Sequence, residues 1–277
     1  MCISPPALGR RIPVPRVRAR RVAYFAPMSE DKTQPRVHVG FELEPGRAYA
    51  LPPPQAHHAV RVLRLAAGDT LALFNGDGAE YPARVERVSK REVTVKVQER
   101  RIVSRESPLA VTLAQAIASG ERMDYTIQKA VELGVAAIQP LAASRSVVRL
   151  SGERADRRVS HWRAVAIAAC EQCGRNHLPP IAAVAPLERW LAQWPARNDG
   201  SRPLLLSPRG ETTLRELDRP AKTVVILAGP EGGLTQDEES AARRSGFIPV
   251  SLGPRVLRTE TAAVAALAAM QALWGDF

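Results

Sequence analysis

The sequence predicts an α/β protein in which a small β-barrel precedes a mostly parallel sheet alternating with helices. Three observations carry this. From Arg36 to about Arg105, short runs of alternating or β-branched residues crowd together around one helical-looking piece. Beyond Pro108, apolar strands alternate with amphipathic helices. Three of the later strands run into loops that contain proline and glycine.

The elements follow in chain order. Residues 1–35 are rich in proline and arginine and show neither helical nor strand period, so a disordered basic tail is expected. Met28, which leads through "MSEDKTQPRVHVG" into the first strand pattern, is an alternative start. The barrel, residues 36–105, reads as "RVHVGFEL", "YALP", "DTLALFNG", "EYPARVERVSK" and "EVTVKVQER", with "NGDG" at Asn75–Gly78 as a turn. Its helical piece, "HHAVRVLRLAAGD", spaces His57, His58, Arg61 and Arg64 by three or four, so they are expected to share one face.

The second domain, residues 108–277, starts with the strand "LAVTLAQAI". In "ERMDYTIQKAVELG" the spacing of Met123, Ile127, Ala130 and Val131 predicts the buried face of a helix that Gly134 stops. "VAAIQPL" is a strand, and "ERADRRVSHWRAVAIAACEQCG" a long helix turning Val159, Trp162, Ala166 and Ala169 inward. "PLLLS", "TVVILAG" and "IPVSL" are three further strands. Thr235 is expected to cap the helix "LTQDEESAARRSG", and Thr259 the nearly all-apolar helix that closes the chain, with Glu260 at its positive end.

Composition narrows the function. The 277 residues are 45% hydrophobic but only 5% aromatic, so the core must be mostly aliphatic. Three cysteines do not make a disulfide scaffold and point to a reducing compartment. No apolar run reaches the roughly 18–20 residues of a spanning helix, so a soluble, cytoplasmic protein is expected. The net charge of +11 is uneven: residues 1–35 carry +5, and residues 36–107 and 108–277 carry +3 each. This suits a polyanionic partner without demanding one.

The familiar nucleotide and hydrolase fingerprints do not occur. Cys170 and Cys173, with His177 nearby, lack the second pair that a zinc site would need, and buried thiols are expected rather than a metal. The loops in "LLLSPRG", "LAGPEGGL" and "LGPRVLRTETA" are more telling. Glycines at the C-terminal ends of strands let backbone approach a ligand, and open α/β sheets bind ligands there. Arg255, Arg258 and Glu260 place charge beside the most apolar helix of the chain.

Together "HHAVRVLR", "DYTIQKAVELGV", "AIAACEQCGRNHLP", "AGPEGGL" and "SLGPRVLRTETA" resemble the bacterial 16S ribosomal RNA uridine-N3 methyltransferase family, of the SPOUT class. The resemblance runs from Arg36 to about Phe277. It implies a PUA-like RNA-binding barrel, a trefoil-knotted methyltransferase domain, S-adenosylmethionine as cofactor, a homodimer, and small-subunit 16S ribosomal RNA as substrate, with no metal. The candidate cofactor residues are Leu206, Ser207, Leu227, Ala228, Gly229, Glu231, Gly232, Leu252, Gly253, Val256, Leu257, Arg258 and Thr259. Arg258 and Glu260 are the catalytic candidates, one for a developing uridinate and one for its proton. Arg36, His58, Arg61, Arg64, Arg122, Lys129, Arg145 and Arg175 are the RNA-binding candidates. A SPOUT ribose 2′-O methyltransferase and a non-catalytic RNA-binding assembly factor remain the alternatives.

Overall fold

The computed structural model describes residues 34–89, 92–146, 152–194, 200–220 and 223–277. The expectations for the tail and for Met28 lie outside these residues. The Pro35 carbonyl accepts from the Ala72 N–H at 2.8 Å, so backbone pairing into the first sheet already includes Pro35.

The first sheet holds β1 (Arg36–His38), β2 (Ala48–Ala50), β3 (Thr70–Phe74), β4 (Ala79–Val88), β5 (Val93–Val97) and a two-residue β6 (Arg101–Ile102) that its short sequence did not signal. The order is β1-β3-β4-β5-β2, with β6 on β4 and only the β1–β3 pair parallel. Alternation sets the buried face: Val93, Val95 and Val97 point inward, as do Tyr81, Ala83 and Val85 on the neighbouring strand. A bulge between Val85 and Arg87 bends β4. Helix α1 (Pro53–Arg61) opens on prolines in its first turn and buries Ala56 and Ala59 in the same core. Arg64 lies beyond the end of this helix, at φ 55°, so the expected single face of His57, His58, Arg61 and Arg64 is broken before its last member.

The second sheet holds β7 (Ala110–Ala116), β8 (Ala137–Ala142), β9 (Ala185–Pro186), β10 (Arg202–Leu206), β11 (Thr212–Thr213), β12 (Thr223–Ala228) and β13 (Ile248–Ser251), in the order β11-β13-β10-β12-β7-β8-β9. Every pairing between these strands is parallel. Helices cover both faces, as parallel sheets require. Leu113, Leu204 and Ile226 face one side with α2 (Gly120–Glu132), α3 (Glu153–Cys173) and α6 (Thr259–Trp274). Their chain neighbours Ala114, Leu205 and Leu227 face the other, with α4 (Leu187–Ala192) and α5 (Gln236–Arg244). The short α4 was not foreseen; it brings Trp190 and, just beyond it, Trp194 against Phe247. The faces expected on α2 and α3 are buried, Gly134 follows α2 at φ 77°, and Thr235 forms a reciprocal capping box with Glu238.

Two arginines expected on RNA bond to the protein itself. Arg175 is 4% exposed; it donates to both Glu106 oxygens and to the carbonyls of Val131, in the last turn of α2, and Val135, just past it. Arg36 pairs with Glu80 at 3.1 Å and donates to Asn176 Oδ1 and the Arg175 carbonyl. The Arg175 guanidinium is buried with its donors spent on the protein, whereas Arg36 is half-buried and its Nε has no hydrogen-bond partner among the described residues. These bonds fasten the first sheet to the end of α3, where a Cβ on Gly78 would fall 2.4 Å from the His177 ring. No helix among the described residues is long and apolar enough to cross a membrane.

Candidate active site

β13, β10 and β12 lie side by side and run the same way, so the three loops that leave their C-terminal ends converge. They enclose a cavity of about 540 Å³, within the usual range for small-molecule sites. Every residue expected on the cofactor lines it except Leu227. Leu227 is fully buried in the core behind the sheet, because the two-residue period that turns Ala228 toward the cavity turns Leu227 away.

Local chemistry shapes each loop. After β10, a Cβ on Gly210 would sit 2.6 Å from the Val250 carbonyl carbon, so only glycine lets this loop press against β13. After β12, the Gly232 and Leu234 carbonyls accept from Arg145 Nη1 at 3.1 and 3.3 Å. Arg145, expected on RNA, thus braces the glycine loop. A Cβ on Gly229 would meet the backbone N of Leu234 at 3.2 Å, so a larger residue here would crowd its own loop. After β13, Gly253 takes φ 102°, a conformation that L side chains avoid.

Arg122, Glu231 and Glu260 cluster in the cavity lining. Glu231 Oε1 accepts from the Ser119 N–H at 2.8 Å, the Ser119 hydroxyl at 2.6 Å and Arg122 Nη1 at 3.0 Å. Partial burial raises the pKa of this carboxyl, but the Ser119 and Arg122 hydrogen bonds outweigh it and bring it to about 2. Arg122, another expected RNA contact, stands between two carboxylates, with its Nε 3.9 Å from Glu260 Oε1. The second oxygen of each, Glu231 Oε2 and Glu260 Oε2, is buried with no hydrogen-bond partner among the described residues. Arg258 is exposed at the cavity edge and occupies the N-cap position of α6. Thr259, the expected cap, is the first helical residue; its hydroxyl bonds to the Gly229 carbonyl at 2.6 Å instead.

Of the other basic candidates, Arg61 and Arg64 are exposed, His58 is half-buried, and Lys129 is paired with Glu132 at 2.8 Å. The sequence reading missed Gln115, whose amide joins β7 to the Gly229 loop and to Thr259. Its signal was present as the one amide in the apolar run "LAVTLAQAI". Cys170 is buried, which pushes its thiol up to about 12, and its Sγ lies 3.6 Å from the His177 carbonyl. Among the described residues no group of three or more His, Cys, Asp or Glu side chains could hold a metal ion.

This arrangement suits a ligand that is neutral where it meets glycine backbone and cationic where it meets the two carboxylates, with an anion-stabilising arginine at the mouth. Comparison with known proteins agrees. Residues 105–271 match an RNA methyltransferase domain family, and residues 51–98 match an RNA methyltransferase PUA domain. The chain is 33% identical over 248 residues to ribosomal RNA small subunit methyltransferase E of Buchnera aphidicola from Acyrthosiphon pisum, covering 90% of this chain and 97% of that one. The protein of that name from Bacillus subtilis is 32% identical, over 83% and 91% of the two chains. Among solved structures, a Neisseria gonorrhoeae ribosomal RNA small subunit methyltransferase E bound to S-adenosyl methionine superposes with a TM-score of 0.81 at 39% identity, over 88% and 99% of the chains. A Legionella pneumophila protein solved with bound SAM gives 0.83 at 41% identity, over the same shares.

Proposed function

Because this chain belongs to the ribosomal RNA small subunit methyltransferase E family, we propose that it transfers the methyl group of S-adenosylmethionine to N3 of one uridine in 16S ribosomal RNA. The observation that carries this reading is the shared cavity of three strand-end loops, with Arg258 at its mouth and two carboxylates on its wall. The residues present fit the cofactor. The three strand-end loops leave a cavity of small-molecule size, and two buried carboxylate oxygens without donors suit a group carrying positive charge. Bound there, the cofactor supplies an activated methyl on a sulfonium.

The protein must align the nucleophile and free it of its proton. N3 lies on the Watson–Crick edge of uridine, so the base has to be unpaired or flipped to enter. Arg258 stabilises the uridinate by placing positive charge beside it. The Glu260 carboxylate takes the N3 proton, while Glu231, held ionised by three donors, keeps the cavity lining negative. The PUA-like domain, with exposed Arg61 at the end of α1 and Arg64 in the loop after it, holds RNA backbone. The protein acts in the cytoplasm as a homodimer of SPOUT trefoil-knot subunits.

Incubating the protein with methyl-labelled S-adenosylmethionine and small subunits that lack the modification, then locating the label, tests this. Label on N3 of a single uridine is the expected result. Label on a ribose hydroxyl would make the protein a 2′-O methyltransferase, and RNA binding without label would leave a non-catalytic role.

A further inference from the structure

Residues Leu113–Ala116 of β7 and Ile117 just beyond it are all buried, and Gln115 is the one polar side chain among them. It is itself 0% exposed and does not line the cavity. Its Nε2 donates to the Ala116 carbonyl at 2.9 Å and to Thr259 Oγ1 at 3.0 Å, and lies 3.3 Å from the Gly229 carbonyl. The Thr259 hydroxyl in turn donates to that Gly229 carbonyl at 2.6 Å. The result is a directed chain in which the amide donates to the hydroxyl and the hydroxyl to the carbonyl. It links β7, the glycine loop after β12, and the first residue of α6. The cost is visible too: Gln115 Oε1 is buried with no hydrogen-bond partner among the described residues. An unsatisfied buried acceptor is expensive, and an apolar residue matching its neighbours would avoid it.

We propose that Gln115 is a positioning residue for the methyl-transfer site, acting through Thr259 to fix the Gly229 carbonyl and the start of α6 against each other. This rests on the reading of the cavity as the cofactor site. Two walls of that cavity come from different loops, the glycine loop 229–234 and the Arg258 loop 252–258, and sequence-local bonds do not tie one to the other. The Thr259 hydroxyl does, and the Gln115 amide fixes which way that hydroxyl points. With Nε2 as donor, Oγ1 must accept from Gln115 and direct its own hydrogen at Gly229. Losing either member lets the glycine loop and the arginine loop drift apart by a fraction of an ångström, which loosens cofactor binding and misaligns Arg258.

The test uses Thr259→Val, Thr259→Ser, Gln115→Met and the double variant Gln115→Met/Thr259→Val in the full chain. Cofactor affinity is measured by calorimetry, single-turnover methylation at saturating cofactor, and melting temperature on the same samples. Thr259→Val and Gln115→Met are each expected to bind S-adenosylmethionine about tenfold or more weakly. Thr259→Ser, which keeps the hydroxyl, is expected to stay within about threefold of the unsubstituted protein. The double variant is expected to lose no more than the worse single variant, because one chain is broken either way. If Gln115→Met does not fold, the Val and Ser substitutions at Thr259 still decide the matter. Lower melting temperatures with unchanged cofactor affinity would make the chain structural only and overturn the proposal, as would losses that multiply independently in the double variant. An unsubstituted protein that fails to bind the cofactor would overturn the reading of the cavity and this proposal together. Normal binding there with indifferent variants would overturn the positioning role alone.

Discussion

Arg258 and Glu231 show how residue-scale environment separates roles within one cavity. Arg258 is exposed and has no carboxylate partner in ion-pair range among the described residues, so its charge is available to an incoming anion. Arg258→Ala is therefore expected to slow single-turnover methylation by about 10²-fold, the scale of losing one placed electrostatic donor. Calorimetry should find S-adenosylmethionine affinity changed by less than about threefold, since the loop's backbone still forms the wall. A folded Arg258→Ala protein with full activity would remove Arg258 from the mechanism. Glu231 is the opposite case, a carboxylate saturated by donors on one oxygen. Its folded pKa of about 2 lies below the ordinary 4.5, so it contributes stability that is present above pH 4.5 and lost as pH falls toward 2. Glu231→Gln should accordingly shrink the drop in melting temperature between pH 5 and pH 2.5. An unchanged drop would mean that other groups drive acid unfolding.

At the scale of elements, Arg175 is the clearest structural charge. It ties the residues after α3 to the carbonyls at the end of α2 and to Glu106 at the entry to β7. Removing it leaves Glu106 without its guanidinium and the Val135 carbonyl without its arginine donor, while the Val131 carbonyl keeps the Gly134 N–H, so Arg175→Met should destabilise the protein by about 3 kcal/mol in urea unfolding. The RNA affinity of the folded fraction should not change. A stable Arg175→Met protein with weakened RNA binding would return this residue to the RNA surface.

At the scale of the whole molecule, the basic residues that remain exposed and unpaired on the first sheet's helix and the loop after it are Arg61 and Arg64. Alanine at each should weaken RNA binding and make its salt dependence shallower by about one phosphate contact, while sparing the rate at saturating RNA. A rate defect at saturation would place them nearer the chemistry. Helix α6 carries no charge from Thr261 to Gly275 and leaves Leu273 44% exposed, with Phe277 beyond it at 58%. Self-association through a two-fold contact would cover that surface. Light scattering at micromolar concentration should then give twice the chain mass, and a species near 30.1 kDa alone would refute the dimer.

Periodicity and loop chemistry made much of this legible in the sequence. The spacing of Met123, Ile127, Ala130 and Val131 dictated a helix face because burial enforces a period, and Gly229, Gly232 and Gly253 marked strand-end loops because few other residues fit there. Short elements were not legible: β6, β9 and β11 have two residues each, too few to show a period, and the neighbouring strands impose them. Long-range polar partners were not legible either. Nothing local distinguishes Arg175, buried on Glu106, from Arg61, free in solvent, or tells that Arg145 braces a glycine loop nearly ninety residues away. The charge of a side chain is written in the sequence. Whether that charge meets protein, cofactor or RNA depends on which groups the fold brings within about 3 Å of it, and only the tertiary structure decides that.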